Sequence, residues 1–365
     1  MIPFTRILGY GNIAPAAASY IKVQTTENAL VLLRDDGKLY ARGINNYGQF
    51  GLGVPADSTI YGWTEIATEV ENVWISTSTI IIRKVDGSLM YSGSMRFLYN
   101  NGTVTRWTQI PSSWFNGIIS TDISDIQFTF YDALVLLNNG SLYGSGFNTA
   151  GEITGGGASY NLRKCTSNGV QTFTKISCGQ QFSVALGTDG YWYRSGSNNR
   201  GQLGTGNTGN LSTFTMYNNL GLITDITSGY ESSMIVNPSN NAIFGCGSQV
   251  NNQLNLGATS GTQLVFKNAI TMTINGGFKL FVPQLDGAYA MRRYMVFGDG
   301  IYSTSSTGLV QVSSDVVLDS NFICSGGTAN LVYMVNGLLY GAGKNNVMNG
   351  GSSGDYYDAR LLEMP

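Results

Sequence analysis

Several residue groups in this sequence could do chemistry. GTGNTGN at 204–210 and GAGKNN at 341–346 are glycine-rich loops of the kind whose backbone amides can cradle a phosphate. Both lack the Gly-Lys-Ser/Thr ending and a following helix, which points to turns rather than a nucleotide site. Asp36, Asp86, Asp189 and Asp286 each precede a glycine. Together they could ring a metal, yet Asp-Gly is equally a turn signal. Ser195 stands before Gly196 like a nucleophile on a tight bend, but the chain contains no histidine. That absence removes the commonest general base and the usual catalytic zinc ligand. Cys165, Cys178, Cys246 and Cys324 are widely spaced with no CxxC pair, so buried free thiols are expected. No catalytic residue, cofactor site or metal site is assigned, and the chain is not expected to be an enzyme.

The elements that hold these residues emerge when the chain is laid against itself. An apolar strand, a tight turn, a second strand and a closing glycine recur. The copies read VLLRDDGKLYARG, IIRKVDGSLMYSG, LVLLNNGSLYGSG, VALGTDGYWYRSG, MIVNPSNNAIFGCG, a blurred YAMRRYMVFGDG and VYMVNGLLYGAG. The closing glycines are Gly43, Gly93, Gly146, Gly196, Gly247, Gly298 and Gly343, spaced by 50, 53, 50, 51, 51 and 45 residues. A period of this size marks a solenoid, a propeller or an array.

Within each unit a turn glycine (Gly37, Gly87, Gly140, Gly190, Gly337) lies six residues before the closing one, after Asp or Asn. Such pairs suit two-residue hairpin turns, and Asn241 holds the place in the fifth unit. Val23, Val73, Ile126, Ile176 and Ile323, 20 residues before the closing glycine, begin a further strand. Four strands fit about 50 residues, and no convincing amphipathic helix interrupts them. The reading is an all-β, seven-bladed β-propeller over residues 19–365, with 1–18 as an arm outside the repeat. The C-terminal ARLLE at 359–363 is expected to close the ring by joining the blade that contains residues 19–43. Arg292-Arg293 is expected in a hairpin turn, and the Ser/Thr-rich 300–315 in a connection.

The stretch GSNNRGQLGTGN at 196–207 carries a family resemblance. The pattern of apolar strand, Asp-Gly, strand and G-x-N-x-x-G-Q-L-G resembles the repeat of the RCC1 (regulator of chromosome condensation) family. The fourth unit carries it through Cys178, Gly179, Ser183, Ala185, Leu186, Asp189, Gly190, Gly196, Asn198, Gly201, Gln202, Leu203 and Gly204. The first unit keeps Asn45, Gly48, Gln49, Phe50 and Gly51, while the third keeps Asn148 and Gly151 but has Glu152 for the glutamine. The fifth has Asn252 for the glycine before Gln253 and Leu254, and the last keeps only Asn345. Family repeats commonly carry a histidine where this chain has Phe182. The resemblance implies the seven-bladed fold. It offers a regulatory role, as a GTPase exchange factor or an enzyme inhibitor, as the alternative function.

Composition narrows the partners. The 365 residues include 48 glycines and 21 tyrosines, with 12% charged residues and a formal net charge of −2. Backbone phosphates demand clustered Lys and Arg, so no nucleic-acid partner is expected. No apolar run is long enough to span a membrane, and the first 20 residues lack the charged and apolar regions of a signal peptide. Low charge with abundant Gly, Asn, Ser, Thr and Tyr resembles bacteriophage tail and baseplate proteins. The leading expectation is therefore a non-enzymatic virion component, in a tail, baseplate or fibre. It would contact other virion proteins or a glycan or protein of the host surface, with a cytoplasmic location as the alternative. The most irregular loop, 95–125, offers Arg96, Phe97, Tyr99, Trp107, Trp114 and Phe115 as candidate interface residues. The 1–18 arm is a possible route to an oligomer.

Overall fold

The computed structural model describes residues 19–53, 58–98, 102–129, 131–239, 242–250, 254–256, 261–271, 278–281, 294–305, 308–314, 322–326, 330–343 and 356–365. Seven four-stranded sheets follow one another, each built from consecutive strands in chain order. The blades span residues 20–67, 70–109, 123–164, 173–217, 225–271, 278–314 and 323–361, and are numbered 1 to 7 in that order. Blade 4 is representative, with strands Phe173–Gly179, Phe182–Gly187, Trp192–Gly196 and Leu211–Tyr217 paired antiparallel throughout. The first strands of blades 1 to 6 lie side by side in order, and the first strand of blade 7 lies against that of blade 1.

Stacking explains the sequence of each strand. The second strands ALVLLR, DALVLL and FSVALG are apolar almost without alternation because both faces of a blade pack against neighbouring blades. The fourth strand of blade 4, LSTFTMY, is the outer edge, and only Phe214 is buried. The seven apolar clusters lie between blades or within them, so the core is distributed around the ring.

In blades 1 to 4 the turn glycine closes a three-residue hairpin loop. In blade 1, Arg34 N donates to Lys38 O at 3.0 Å and Gly37 N to Arg34 O at 3.1 Å. Gly37 takes the left-handed φ of 80°. The preceding residue caps the loop with its side chain: Asp36 Oδ1 accepts from Lys38 N at 3.2 Å and Asp189 Oδ1 from Tyr191 N at 3.1 Å. The expected two-residue turn occurs in blade 7. There Asn336 (φ 53°) and Gly337 (φ 74°) link the paired Val335 and Leu338. In blades 1 to 4 the extra residue leaves a left-handed glycine bulge, which fits the twist of paired strands.

Three sequence expectations are corrected. Gly298 lies in the turn between strands Tyr294–Phe297 and Gly300–Ser305 of blade 6 and ends no strand. The residue facing Tyr294 from the third strand is Ser303. Residues 300–314, expected as a connection, supply the third and fourth strands of that blade. The C-terminal strand Tyr356–Leu361 pairs with Leu338–Gly343 in blade 7 and does not join blade 1. Blade 1 has no vacancy, because Ser58–Ala67, which contains the apolar segment at 62–66, is its own fourth strand.

Ring closure rests instead on packing and side chains. Val23, Leu30 and Leu32 of blade 1 share a cluster with Val332, Met334, Leu339 and Leu362. Asn330 Nδ2 donates to Thr26 O at 2.7 Å, and Trp63 Nε1 to Glu363 O at 2.8 Å. Residues 1–18, Asn241, Asp286, Arg292 and Arg293 lie outside the described residues.

Candidate binding surface

The glycine-rich segments that follow the third strands of blades 1, 3 and 4 act as staples between blades. In blade 4, Asn198 Oδ1 accepts from Leu203 N at 2.8 Å, while its Nδ2 donates to Thr205 Oγ1 at 2.7 Å and Asn207 O at 2.8 Å. Gln202 Oε1 accepts from Arg200 N at 2.9 Å. Gly201 N and Gly204 N donate to Asn198 O and Gly201 O, and Gly206 N reaches Leu264 O of blade 5 at 2.9 Å. These amides are already engaged by the protein, so the loop has none of them to offer a phosphate. Held this way, Leu203 is fully buried among Ile223, Ile226 and Ile235 at the junction with blade 5. Phe50 and Ile153 are held at the corresponding places by Asn45 and Asn148, at 3.0 Å each.

In blades 2, 4 and 5 the residue before the closing glycine receives the staple of the preceding blade. Ser92 Oγ donates to Gly48 O at 2.8 Å, Ser195 Oγ to Gly151 O at 2.6 Å, and Cys246 Sγ to Gln202 O at 3.3 Å. Ser195 is thereby a buried structural donor. Ser145, which would receive the staple of blade 2, is buried with no partner for its hydroxyl among the described residues. In the blade 3 staple Glu152 replaces the amide, and its carboxylate accepts from Thr149 N at 3.1 Å and Ala150 N at 2.8 Å. Asp132 faces it, accepting from Asn148 N at 3.0 Å. Burial first, then the neighbouring Glu152 carboxylate, push the Asp132 carboxyl well above the usual range. The four cysteines are free, and burial raises every thiol. Among the described residues no group of three or more metal-binding side chains exists.

The five described candidate interface residues do not converge on one surface. Phe97 and Phe115 are buried at 1% and 3% exposure. Phe97 stacks 5.1 Å from Phe128 of blade 3, and half-buried Trp114 lies 6.4 Å from Tyr91. Trp107 is on the outer strand of blade 2, where its Nε1 donates to Ile66 O of blade 1 at 2.7 Å. Arg96 is exposed, and Tyr99 lies outside the described residues. Strand direction places Arg96 and Phe97 at one end of blade 2 and Trp114 and Phe115 at the other, because Thr103–Gln109 runs between them.

What the irregular region does build is a cavity. Residues 110–122, the longest connection between consecutive blades, carry two short 3₁₀ turns, Ser112–Phe115 and Ser120–Asp122. With the hairpin turn of blade 2 they enclose about 470 Å³, lined by Leu89, Ile110, Phe115, Ile118 and Ile119 and by small polar residues. Ser120 Oγ and Arg83 fasten the insertion, through Gly87 O and through Ser120 O at 2.8 Å. Ile119 is 64% exposed at the wall, and Val85, 66% exposed, stands two residues from the lining Gly87.

Two lysines on first strands engage the next blade. Lys22 Nζ donates to Asn72 Oδ1 at 2.8 Å, and Lys175 pairs with Asp225, whose other oxygen accepts from Phe281 N at 2.9 Å. Burial lowers the Lys22 ammonium to about 8 against the opposing pull of Asp125.

No family model matches the chain. Among solved structures, human WBSCR16 aligns with a TM-score of 0.68 at 15% identity, over 85% of this chain and 87% of that protein. Yeast RCC1 (Prp20), solved bound by Kap60, aligns with a TM-score of 0.56 at 13% identity, over 94% and 75%. The fold is that of the RCC1-type seven-bladed propeller. A second Prp20p structure, from Saccharomyces cerevisiae, agrees with a TM-score of 0.54 at 14% identity, over 94% and 77%. At these identities the likeness is one of fold. In the RCC1-type propeller described here, no described helix is long and apolar enough to cross a membrane.

Proposed function

We propose that this chain is a non-catalytic binding propeller whose docking surface is the cavity built by residues 110–122. The observation that carries the reading is the cavity itself, concave and apolar-lined, with Ile119 and Val85 exposed beside it. Such a surface suits apolar anchor side chains of a protein partner. Prp20p, whose studied properties include binding to Gsp1p and histones, supports protein binding as a use of this fold.

Composition supports a finer reading, in which the chain is a bacteriophage virion component and the partner a neighbouring virion protein. Mass spectrometry of purified particles should then find the chain in many copies, and its absence would end that reading. The surface is tested separately with Ile119→Glu and Val85→Glu. Binding to dissociated virion proteins should be lost in both variants while both melt like wild type; unchanged binding overturns the assignment. The regulatory alternative predicts accelerated nucleotide release from at least one small GTPase in a panel.

A further inference from the structure

We infer that a second pocket, on the outer wall between blades 4 and 5, binds a small ligand carrying one carboxylate, with Arg194 as its partner. This site is independent of the apolar cavity.

Arg194 puts a charge at a place where most blades have a small residue. Two residues before the closing glycine, blades 1, 3, 5 and 7 have Ala41, Gly144, Gly245 and Gly341, and blade 2 has the uncharged Tyr91. The restriction has a cause in blades 3 and 5. A Cβ on Gly144 would come 2.5 Å from the Ile153 side chain, and one on Gly245 would come 2.9 Å from that of Leu254. Blade 4 instead accommodates a full-length cation, 6% exposed.

The guanidinium is held rigidly. Nε donates to Leu203 O at 2.7 Å and Nη1 to Thr215 O at 3.3 Å. The group lies 5.1 Å from the Trp192 ring and 4.7 Å from the Tyr217 ring. No carboxylate meets it among the described ion pairs. Arg83, similarly buried, has Glu71 at 2.8 Å. The titratable groups facing Arg194 are Cys246 and Tyr217, and burial keeps both neutral at pH 7.

Arg194 lines a pocket of about 260 Å³ together with Thr205, Tyr217, Asn218 and Asn219. Nη2 donates to no described group, so one edge of the fork is left over. A desolvated cation without a counter-ion, beside neutral amides, matches a single negative charge. A phosphate dianion would leave an excess charge in the same low-dielectric pocket. The volume holds roughly one sugar ring or one amino acid, just below the usual range of about 300–1,000 Å³ for ligand sites.

Calorimetric titration of the full chain with D-glucuronate, D-glucose, N-acetyl-L-alanine and inorganic phosphate at pH 7 decides the matter. Saturable binding of glucuronate or N-acetyl-L-alanine, at least tenfold tighter than glucose, is expected; whichever binds tighter identifies a sugar or an amino-acid derivative as the source of the carboxylate. Arg194→Met should abolish the signal. Val265→Trp, a change at a half-exposed residue of the pocket lining, should weaken binding at least tenfold without altering the melt. Equal binding of glucose, tighter binding of phosphate, no binding by either carboxylate, or an unaffected Val265→Trp would each overturn the inference.

Discussion

Blades 2 and 4 solve one problem in two ways. Both must place an apolar residue from the third-to-fourth connection into the junction with the next blade. Blade 4 does so with amides, where Asn198 and Gln202 hold a glycine-rich loop so that Leu203 enters. Blade 2 has Met95 where Asn198 would stand, and Met95, Phe97 and Leu98 are themselves buried in the junction with blade 3. The difference shows that the buried plug is what the ring requires. The Asn and Gln residues are one means of delivering it. It also leaves a trace, since Ser145, facing the blade 2 loop, has a buried hydroxyl with no acceptor among the described residues.

The comparison can be broken first at the feature both blades share. A Cβ on Gly93 would lie 2.1 Å from Ser78 O, and on Gly196 2.5 Å from Gln181 O, with φ of 101° and 104°. Gly93→Ala and Gly196→Ala should each lose more than about 4 kcal/mol, read by urea denaturation. A mild effect in either would mean that the strand end can relax. Next, Phe97→Ala removes the blade 2 plug and should lose about 3–5 kcal/mol. A loss below about 1 kcal/mol would deny the plug its role.

Blade 3 sharpens the comparison through pH. Its staple holds Glu152 against Asp132, whose folded-state pKa is raised. The folded state then keeps a proton that the unfolded chain releases in the ordinary carboxylate range. Stability is fullest below that range and falls as pH rises from it toward the raised folded value. Glu152→Gln gives Asp132 an amide donor and should flatten the slope of melting temperature between pH 5 and pH 8. An equal slope in wild type and variant would assign the pH dependence elsewhere. Smallest is the serine pair. Ser195→Ala should lose about 1 kcal/mol by stranding Gly151 O, while Ser145→Ala should be neutral or slightly stabilising. Equal effects would contradict the account of the missing staple.

The blades were legible because their punctuation has backbone causes that only glycine satisfies. The sixth unit misled because Phe297-Gly298-Asp299-Gly300 looks like a strand end and is a turn between strands, with Ser303 opposite Tyr294. The closing strand was misplaced because Trp63 and its neighbours read as the start of a second unit, although they complete the first blade. The aromatic residues of the irregular loop were visible, but their direction was not. A loop that loses polar staples must fill the same junction, which turns Phe97 inward. Arg194 had a signal that went unused. It is a charge at a position occupied by Ala or Gly in four other units.

The claim that the motif residues hold the ring together, while binding lies where the repeat departs, is tested most directly by urea denaturation of Asn198→Ala beside Ile119→Glu. The account predicts a loss of about 2–4 kcal/mol for Asn198→Ala, which leaves Leu203 N unpaired and takes a donor from Asn207 O and Thr205 Oγ1, and a change within about 0.5 kcal/mol for Ile119→Glu. An Asn198→Ala variant as stable as wild type would contradict it.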